Sequence, residues 1–181
     1  MWEIIKADLK AAARRPEETA YIATVAIAAG VLASAAGWPA VYLIALLASQ
    51  LSAYLYVIRD WDRGVLEGLI YYTSHVEIYI SKLVVTGLTT ALATALATLF
   101  IHPAHIPTAV ITALLFSTVS SLAALFAVYG GLPPPAATAM AIVLALPPAV
   151  AAAEGHTAAV GALVLTAAVG TLVAALLDYR H

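Results

Sequence analysis

The sequence predicts an all-α, polytopic membrane protein with six transmembrane helices, an N-terminal interfacial helix and a short helix in a cytoplasmic loop. Three observations predict this class. The 181-residue chain is 64% hydrophobic and 10% charged, whereas soluble domains carry about 25% charged residues. A soluble domain of this length leaves too much surface in water to hide so many apolar side chains. The apolar residues also fall into long runs separated by short breaks.

A helix needs about 20 apolar residues to cross a bilayer, and six stretches of the chain meet or approach that length. Ser74 and Glu77 match a capping box, which predicts the start of the third of these helices. The six runs form one transmembrane domain over residues 1–181. We expect the spans at residues 21–36, 39–58, 79–101, 107–129, 135–153 and 157–177.

The N-terminal segment, residues 1–16, is amphipathic. Trp2, Ile5 and Leu9 fall on one helical face, and Lys6 lies largely off it. This pattern predicts an interfacial helix that lies along the membrane surface, with its aromatic and basic residues at the headgroups. The alternative is an unstructured tail.

The basic residues predict the orientation. With six spans, every lysine and arginine falls on one side of the membrane, and the positive-inside rule makes that side cytoplasmic. Both termini and the loop at residues 59–78 are then cytoplasmic, and the chain lies in the cell (plasma or inner) membrane. The net charge of −2 gives no indication of nucleic-acid binding. The basic residues are Lys6, Lys10, Arg14, Arg15, Arg59, Arg63, Lys82 and Arg180.

The loop at residues 59–78 is the longest polar interruption in the chain. Inside it, Val65, Leu66, Leu69 and Ile70 repeat at helical spacing, which predicts a short amphipathic helix. We interpret this helix as a docking site for a soluble partner. The alternative is an ordinary charged connector whose arginines only set the topology.

The fifth predicted span contains Pro147 and Pro148. Neither proline has an N–H to donate, and both clash with a continuing helix. We therefore expect this span to break near the outer leaflet, with residues 147–156 re-entering the membrane or lying flat. The break is interpreted as an outer gate or a substrate-facing groove, and the alternative is a kink that only shapes packing.

The sequence contains no sign of a catalytic or energy-coupling site of its own. It lacks cysteine and has no Gly-Lys followed by Ser or Thr, so thiol chemistry and a nucleotide-binding loop are not expected. We expect no metal site, no directly bound cofactor and no ionisable residue within the spans, which argues against ion-coupled transport. A transporter of this kind must receive energy from a partner, and the loop is the place for that contact.

The loop resembles one known family. The pattern Arg59-Asp60-x-x-x-Gly64-x-Leu66-Glu67-x-Leu69, followed by about a dozen residues to Lys82, is similar to the cytoplasmic loop between the second and third helices of CcmB-type proteins. These are permease subunits of the cytochrome c maturation, or heme exporter, system in the ABC-2 class of ABC transporters. The overall layout, with cytoplasmic termini and a proline-containing fifth helix, is also similar.

The resemblance implies that residues 65–72 form a coupling helix that sits in a groove of a separate, CcmA-like ATP-binding subunit. ATP would bind only to that partner, so the chain itself is not an enzyme. The resemblance further implies a permease homodimer, a CcmC-like partner and a heme chaperone, with heme as a candidate substrate. The residues assigned to ATPase docking are Arg59, Asp60, Gly64, Val65, Leu66, Glu67, Leu69 and Ile70.

Three histidines on the outer side, His102, His105 and His156, are candidates for heme contact, because imidazole is a common ligand of heme iron. The alternative is that they are simply solvated. Two other functions also fit the sequence. The chain is either an ABC-2 permease that exports a lipid-like or drug-like molecule, or a non-transporting membrane scaffold that docks a cytosolic protein.

Overall fold

The computed structural model describes the backbone of residues 2–37 and 39–178, with all side chains in these ranges except those of residues 36, 134, 151–152, 154 and 156–157. The described residues form helices and connecting turns, with no strand among them, which confirms the all-α prediction. The α-helices are α1 (Trp2–Ala13), α2 (Pro16–Ala33), α3 (Ala40–Ala53), α4 (Arg59–Asp62), α5 (Val65–Ile70), α6 (His75–Thr98), α7 (Ile106–Tyr129), α8 (Pro134–Glu154) and α9 (His156–Asp178).

Helices α6 and α7 form the centre of the bundle. Helix α7 packs against α3, α6, α8 and α9, and α6 packs against α1, α2, α3, α7 and α9. Small residues bring the backbones close together. At Gly30 of α2, an added Cβ would lie 2.9 Å from the Ala97 carbonyl oxygen of α6.

Hydroxyl groups line the buried contacts between the central helices. The Ser49 and Ser120 hydroxyls lie 2.9 Å apart between α3 and α7, and those of Thr86 and Ser121 lie 2.8 Å apart between α6 and α7. A polar side chain in an apolar environment must find a partner within the protein. These pairs therefore link the helices as well as satisfying the side chains.

Four helical stretches among the described residues are long and apolar enough to cross a membrane, so the chain is consistent with a membrane-embedded protein. The prediction of six spans is not confirmed, since the described residues contain four such stretches. Two predicted spans correspond to α2, which begins with the acidic residues Glu17 and Glu18, and to α8, whose apolar part is shorter. The four long stretches are Ala40–Asp62, His75–Thr98, Pro103–Tyr129 and Ala158–Asp178.

The second predicted span continues beyond residue 58, where the loop was expected to start. A π-helical segment, Tyr54–Ile58, joins α3 directly to α4. A π-helical turn holds more residues than an α-helical turn and so rotates the side chains that follow it. Arg59 and Asp60 therefore belong to a continuous helix, and their assignment to a loop is wrong.

Helix α8 runs without interruption through Pro147 and Pro148, so the predicted break and the re-entrant segment at residues 147–156 are wrong. Each proline removes one helical hydrogen bond, but the packing of α8 against α7 and α9 holds the helix together. The helix ends instead at Gly155, whose φ of 137° favours glycine.

Helix α1 forms as predicted, but its apolar face is covered by protein. Ile5 is buried, and Leu9 packs with residues of the bundle where α1 contacts α6 and α2. The prediction that this face rests on the membrane surface is therefore wrong. Trp2 is 61% exposed, and the Lys6 ammonium lies 5.3 Å from the centroid of its ring. The predicted cap of α6 is confirmed, since the Glu77 N–H donates to Ser74 Oγ at 3.2 Å.

The close contact at Gly30 yields a prediction about stability. Gly30→Ala places a methyl group against the α6 backbone, and overpacking of this kind costs about 1–3 kcal/mol. The matched control is Gly161→Ala in α9, where an added Cβ meets nothing within 4 Å. Thermal unfolding in detergent should show a lower midpoint for Gly30→Ala and an unchanged or higher midpoint for Gly161→Ala. Equal midpoints would mean that α2 does not pack this closely on α6.

Candidate functional site

The segment between α4 and α6 contains the short helix that the sequence predicted. Gly64 has φ of 70° and ψ of 9°, a left-handed conformation that glycine adopts without strain. This residue turns the chain between α4 and α5, and α5 then packs against α4 and α6. The segment therefore lies against the bundle.

The apolar face of α5 points into the protein. Leu66 is 0% exposed and belongs to a buried cluster with Val57 and Ile78, against which Leu69 and Ile70 also pack. The interpretation that this face is presented to a partner is therefore wrong, because the bundle itself covers it. Leu66 anchors α5 to the helices on either side of it.

The outer surface of this segment is formed by other residues. Tyr71 and Tyr72 are 86% and 88% exposed, Val65 is partly exposed, and the Glu67 side chain is exposed. We call Val65, Glu67, Tyr71 and Tyr72 the outer face of the segment. Of these four, the sequence-based docking set contained only Val65 and Glu67, because helical periodicity drew attention to the apolar positions.

Arg59 and Asp60, also assigned to docking, are engaged within the chain. The Arg59 guanidinium contacts both carboxylate oxygens of Glu18 in α2, with Nη2 donating to Oε2 at 2.8 Å. The Lys82 ammonium donates to Asp60 Oδ2 at 2.7 Å. Both side chains point towards α2 and α6, so neither is available to a partner in this conformation.

Lys82 lies at the centre of this charged cluster. Its side chain is 2% exposed, and its Nζ contacts Asp8 Oδ1 at 3.1 Å in addition to Asp60. The Ser81 hydroxyl donates to the second oxygen of Asp8 at 2.6 Å. The expectation that the spans hold no ionisable residue is therefore wrong, because Lys82 is buried two turns inside a helix long enough to span the membrane.

The cluster surrounds a small cavity of about 100 Å³. Three acidic and three basic residues line it, so their formal charges cancel: Asp8, Glu18, Asp60, Arg15, Arg59 and Lys82. They come from α1, α2, α4, α6 and the turn before α2. We call this set the charged cluster. Its chemistry is suited to holding helices together, since each buried charge has an opposite charge beside it.

Sequence reasoning missed most of the charged cluster, although one signal was present. Lys82 is a cation in an otherwise apolar helix, and such a residue requires a counter-charge on a neighbouring helix. Asp60 was the nearest candidate. Asp8 and Glu18 could not be identified this way, because their role depends on where α1 and α2 pack.

A second polar contact closes the same end of the bundle. Asp178 at the end of α9 accepts a hydrogen bond from the His75 backbone N–H at 2.7 Å, and the same oxygen contacts the His75 ring. The rings of His75 and Tyr129 lie 5.1 Å apart, and those of Trp61 and Tyr129 lie 6.1 Å apart. The end of α9, the end of α7 and the start of α6 therefore meet beside the segment that carries α5.

The remaining predicted site residues lie elsewhere. The His102 and His105 rings are 5.1 Å apart at the opposite end of the bundle, so they do share one surface. His156 begins α9, and its side chain lies outside the described part of the chain. Within the described part, no group of three or more His, Asp or Glu residues could hold a metal ion. Pro147 and Pro148 line a large apolar cavity between α7, α8 and α9.

Comparisons with known proteins add no assignment: no family model matches the chain, and no curated protein or solved structure gives a significant match.

The charged cluster leads to a second prediction. Lys82→Met leaves Asp8 and Asp60 without their cation, and breaking a buried ion pair costs about 3–5 kcal/mol. Lys10→Met, which removes an exposed lysine of α1, serves as the control. In detergent, Lys82→Met should lower the unfolding midpoint strongly and Lys10→Met should not.

Adding Asp8→Asn and Asp60→Asn to Lys82→Met should recover part of the loss, because the triple variant buries no unpaired charge. If the triple variant is less stable than Lys82→Met alone, the cluster is not held by charge pairing.

Proposed function

We propose that this chain is the permease subunit of an ABC-2-type transporter, resembling CcmB, which receives energy from ATP hydrolysis on a separate subunit. The observation that supports this proposal is the construction of the α5 segment. Its inner residue, Leu66, is held in the buried core, and its outer face carries exposed tyrosines and an acidic residue. A segment built in this way can bind a partner on one side and move the bundle on the other.

The orientation belongs to the same proposal. The contacts of the charged cluster bring Arg59 of α4 and Lys82 of α6 to one end of the bundle, where Asp8 also holds α1. Under the positive-inside rule this end is cytoplasmic, and the outer face of α5 then meets a soluble ATP-binding subunit. Two copies of the chain with two such subunits would form the working transporter.

The proposed docking surface differs from the one that the sequence suggested. Arg59, Asp60 and Leu66 are engaged inside the chain. We therefore assign the contact with the ATP-binding subunit to the outer face, which consists of Val65, Glu67, Tyr71 and Tyr72. Exposed tyrosines supply large contact areas and are frequent anchors in protein interfaces. The alternative for these tyrosines is a position in the aromatic belt at the membrane surface.

We further propose heme export, or release of a heme-loaded chaperone in cytochrome c biogenesis, as the process that the transporter serves. The support is the similarity of the loop motif to that of CcmB-type proteins. Gly64 and Glu67 are among the residues that match this motif. Deletion of the gene should then abolish maturation of c-type cytochromes while other membrane functions continue. Normal cytochrome c maturation in the deletion strain would leave an ABC-2 permease with another substrate.

The docking surface is tested by co-purification of the tagged full-length chain from its own host. Wild type should retain a subunit with ATPase activity, and Tyr71→Ala with Tyr72→Ala should lose it at unchanged thermal stability. Because two tyrosines on the outer face provide the contact, we expect the retained ATPase activity to fall at least about tenfold, the effect of losing roughly 1.4 kcal/mol of binding energy.

The matched control is Tyr21→Ala with Tyr54→Ala, which removes two exposed tyrosines that lie on α2 and in the π-helical segment. This variant should retain the ATPase. Equal retention by all three proteins would contradict the docking surface, and a retained partner without a nucleotide site would support a scaffold instead of a transporter.

A further inference from the structure

The largest cavity described above lies halfway along α7, α8 and α9. Its volume is about 560 Å³, within the range of about 300–1,000 Å³ typical of small-molecule sites. Val119, Leu144 and Ala162 contribute one side chain from each of the three helices. The cavity therefore lies near the middle of the three helices, away from both of their ends.

The wall of the cavity is apolar and faces the outside of the bundle. Leu165 and Val169 of α9 line the cavity and are also substantially exposed, so a molecule in the surrounding lipid can reach it from the side. Thr166 is the one hydroxyl residue in the lining, and its hydroxyl already donates to the Ala162 carbonyl at 2.7 Å. The side chains alone therefore provide a surface for hydrocarbon.

One backbone carbonyl of a lining residue is a hydrogen-bond acceptor without its helical donor. In an α-helix the carbonyl of residue 144 accepts a hydrogen bond from the N–H of residue 148. Residue 148 is proline and has no N–H. Leu144 and Pro148 both line the cavity, so the carbonyl that lacks its helical donor belongs to a residue of the cavity wall. At membrane depth there is no bulk water to satisfy it.

Pro147 provides the natural comparison. It deprives the Val143 carbonyl of its donor in the same way, but Val143 is exposed on the outer surface of α8 and does not line the cavity. The two prolines thus free two carbonyls one residue apart, and only one of them belongs to a residue of the cavity wall.

We propose that this cavity binds one elongated apolar molecule that carries a hydrogen-bond donor, such as a long-chain alcohol or another hydroxylated amphiphile. The hydrocarbon chain lies against Val119, Ala162 and Leu165, and the hydroxyl donates to the Leu144 carbonyl. The inference goes beyond the proposed transport function, since it concerns a lateral site of this chain and does not depend on an ATPase partner.

The test uses two photoreactive probes with the full-length chain in lipid vesicles. One is a hexadecanol bearing a mid-chain diazirine, and the other is the corresponding hexadecane. A net hydrogen bond contributes about 0.5–1.5 kcal/mol, so the alcohol should label the cavity residues up to roughly tenfold more than the alkane at equal concentration. Mass spectrometry of the cross-linked peptides locates the labels.

The prolines supply matched variants. Pro148→Ala restores the N–H that the Leu144 carbonyl lacks, so the preference for the alcohol should disappear. Pro147→Ala restores the donor of Val143 only, so the preference should remain. Equal loss of preference in both variants, or no loss in Pro148→Ala, would overturn the assignment of the carbonyl.

A second pair of variants tests occupancy in case Pro148→Ala fails to fold. Ala162→Phe fills the cavity and should reduce labelling by both probes, whereas Val164→Phe adds the same group at an exposed position of α9 and should not. If wild type is labelled equally by alcohol and alkane, or if Ala162→Phe is labelled like wild type, the cavity makes ordinary lipid contact only and the proposal is wrong.

Discussion

The buried ammonium group of Lys82 determines how one end of this protein is built. Burying an unpaired charge costs several kcal/mol, so the side chain requires acidic partners within reach. It finds Asp60 at the end of the helix Ala40–Asp62 and Asp8 in α1. Because the partners come from different helices, their pairing fixes α1, α4 and α6 relative to one another. The neighbouring pair of Arg59 and Glu18 adds α2 to the same arrangement.

The α5 segment packs against the helices that this arrangement holds together. Leu66 lies in one buried cluster with Val57, which precedes α4, and with Ile78 of α6. The segment is therefore packed against the two helices that flank it, α4 and α6. The hydroxyl pairs of Ser49 with Ser120 and of Thr86 with Ser121 continue these contacts from α3 and α6 to α7.

Local patterns in the sequence predicted much of the fold. The amphipathic α1, the short helix α5 and the cap at Ser74 all depend on residues within one or two turns of each other, and each is present. The direction of each apolar face was harder to predict, because the same pattern of leucines suits a partner protein, the membrane or the chain itself. Leu66 and Ile5 both face the chain itself.

The charged cluster and the continuity of α8 were not predictable from local pattern. Asp8 and Lys82 are 74 residues apart in sequence, and only the packing of α1 on α6 brings them together. Likewise, Pro147 and Pro148 weaken α8 by a local effect, but the neighbouring helices decide whether it breaks. The loop motif drew attention to a segment that does contain a short helix, while the tertiary contacts decide which of its residues are exposed.

The absence of cysteine from the sequence makes one measurement especially direct. Single cysteines at positions 66 and 71 can be labelled with a membrane-impermeant maleimide in inside-out and right-side-out vesicles. If the α5 segment is anchored through Leu66 and faces the cytoplasm, Tyr71→Cys will react rapidly in inside-out vesicles only, and Leu66→Cys will react only after denaturation. Rapid labelling of the cysteine at position 66, or labelling of position 71 from the outside, would contradict this arrangement.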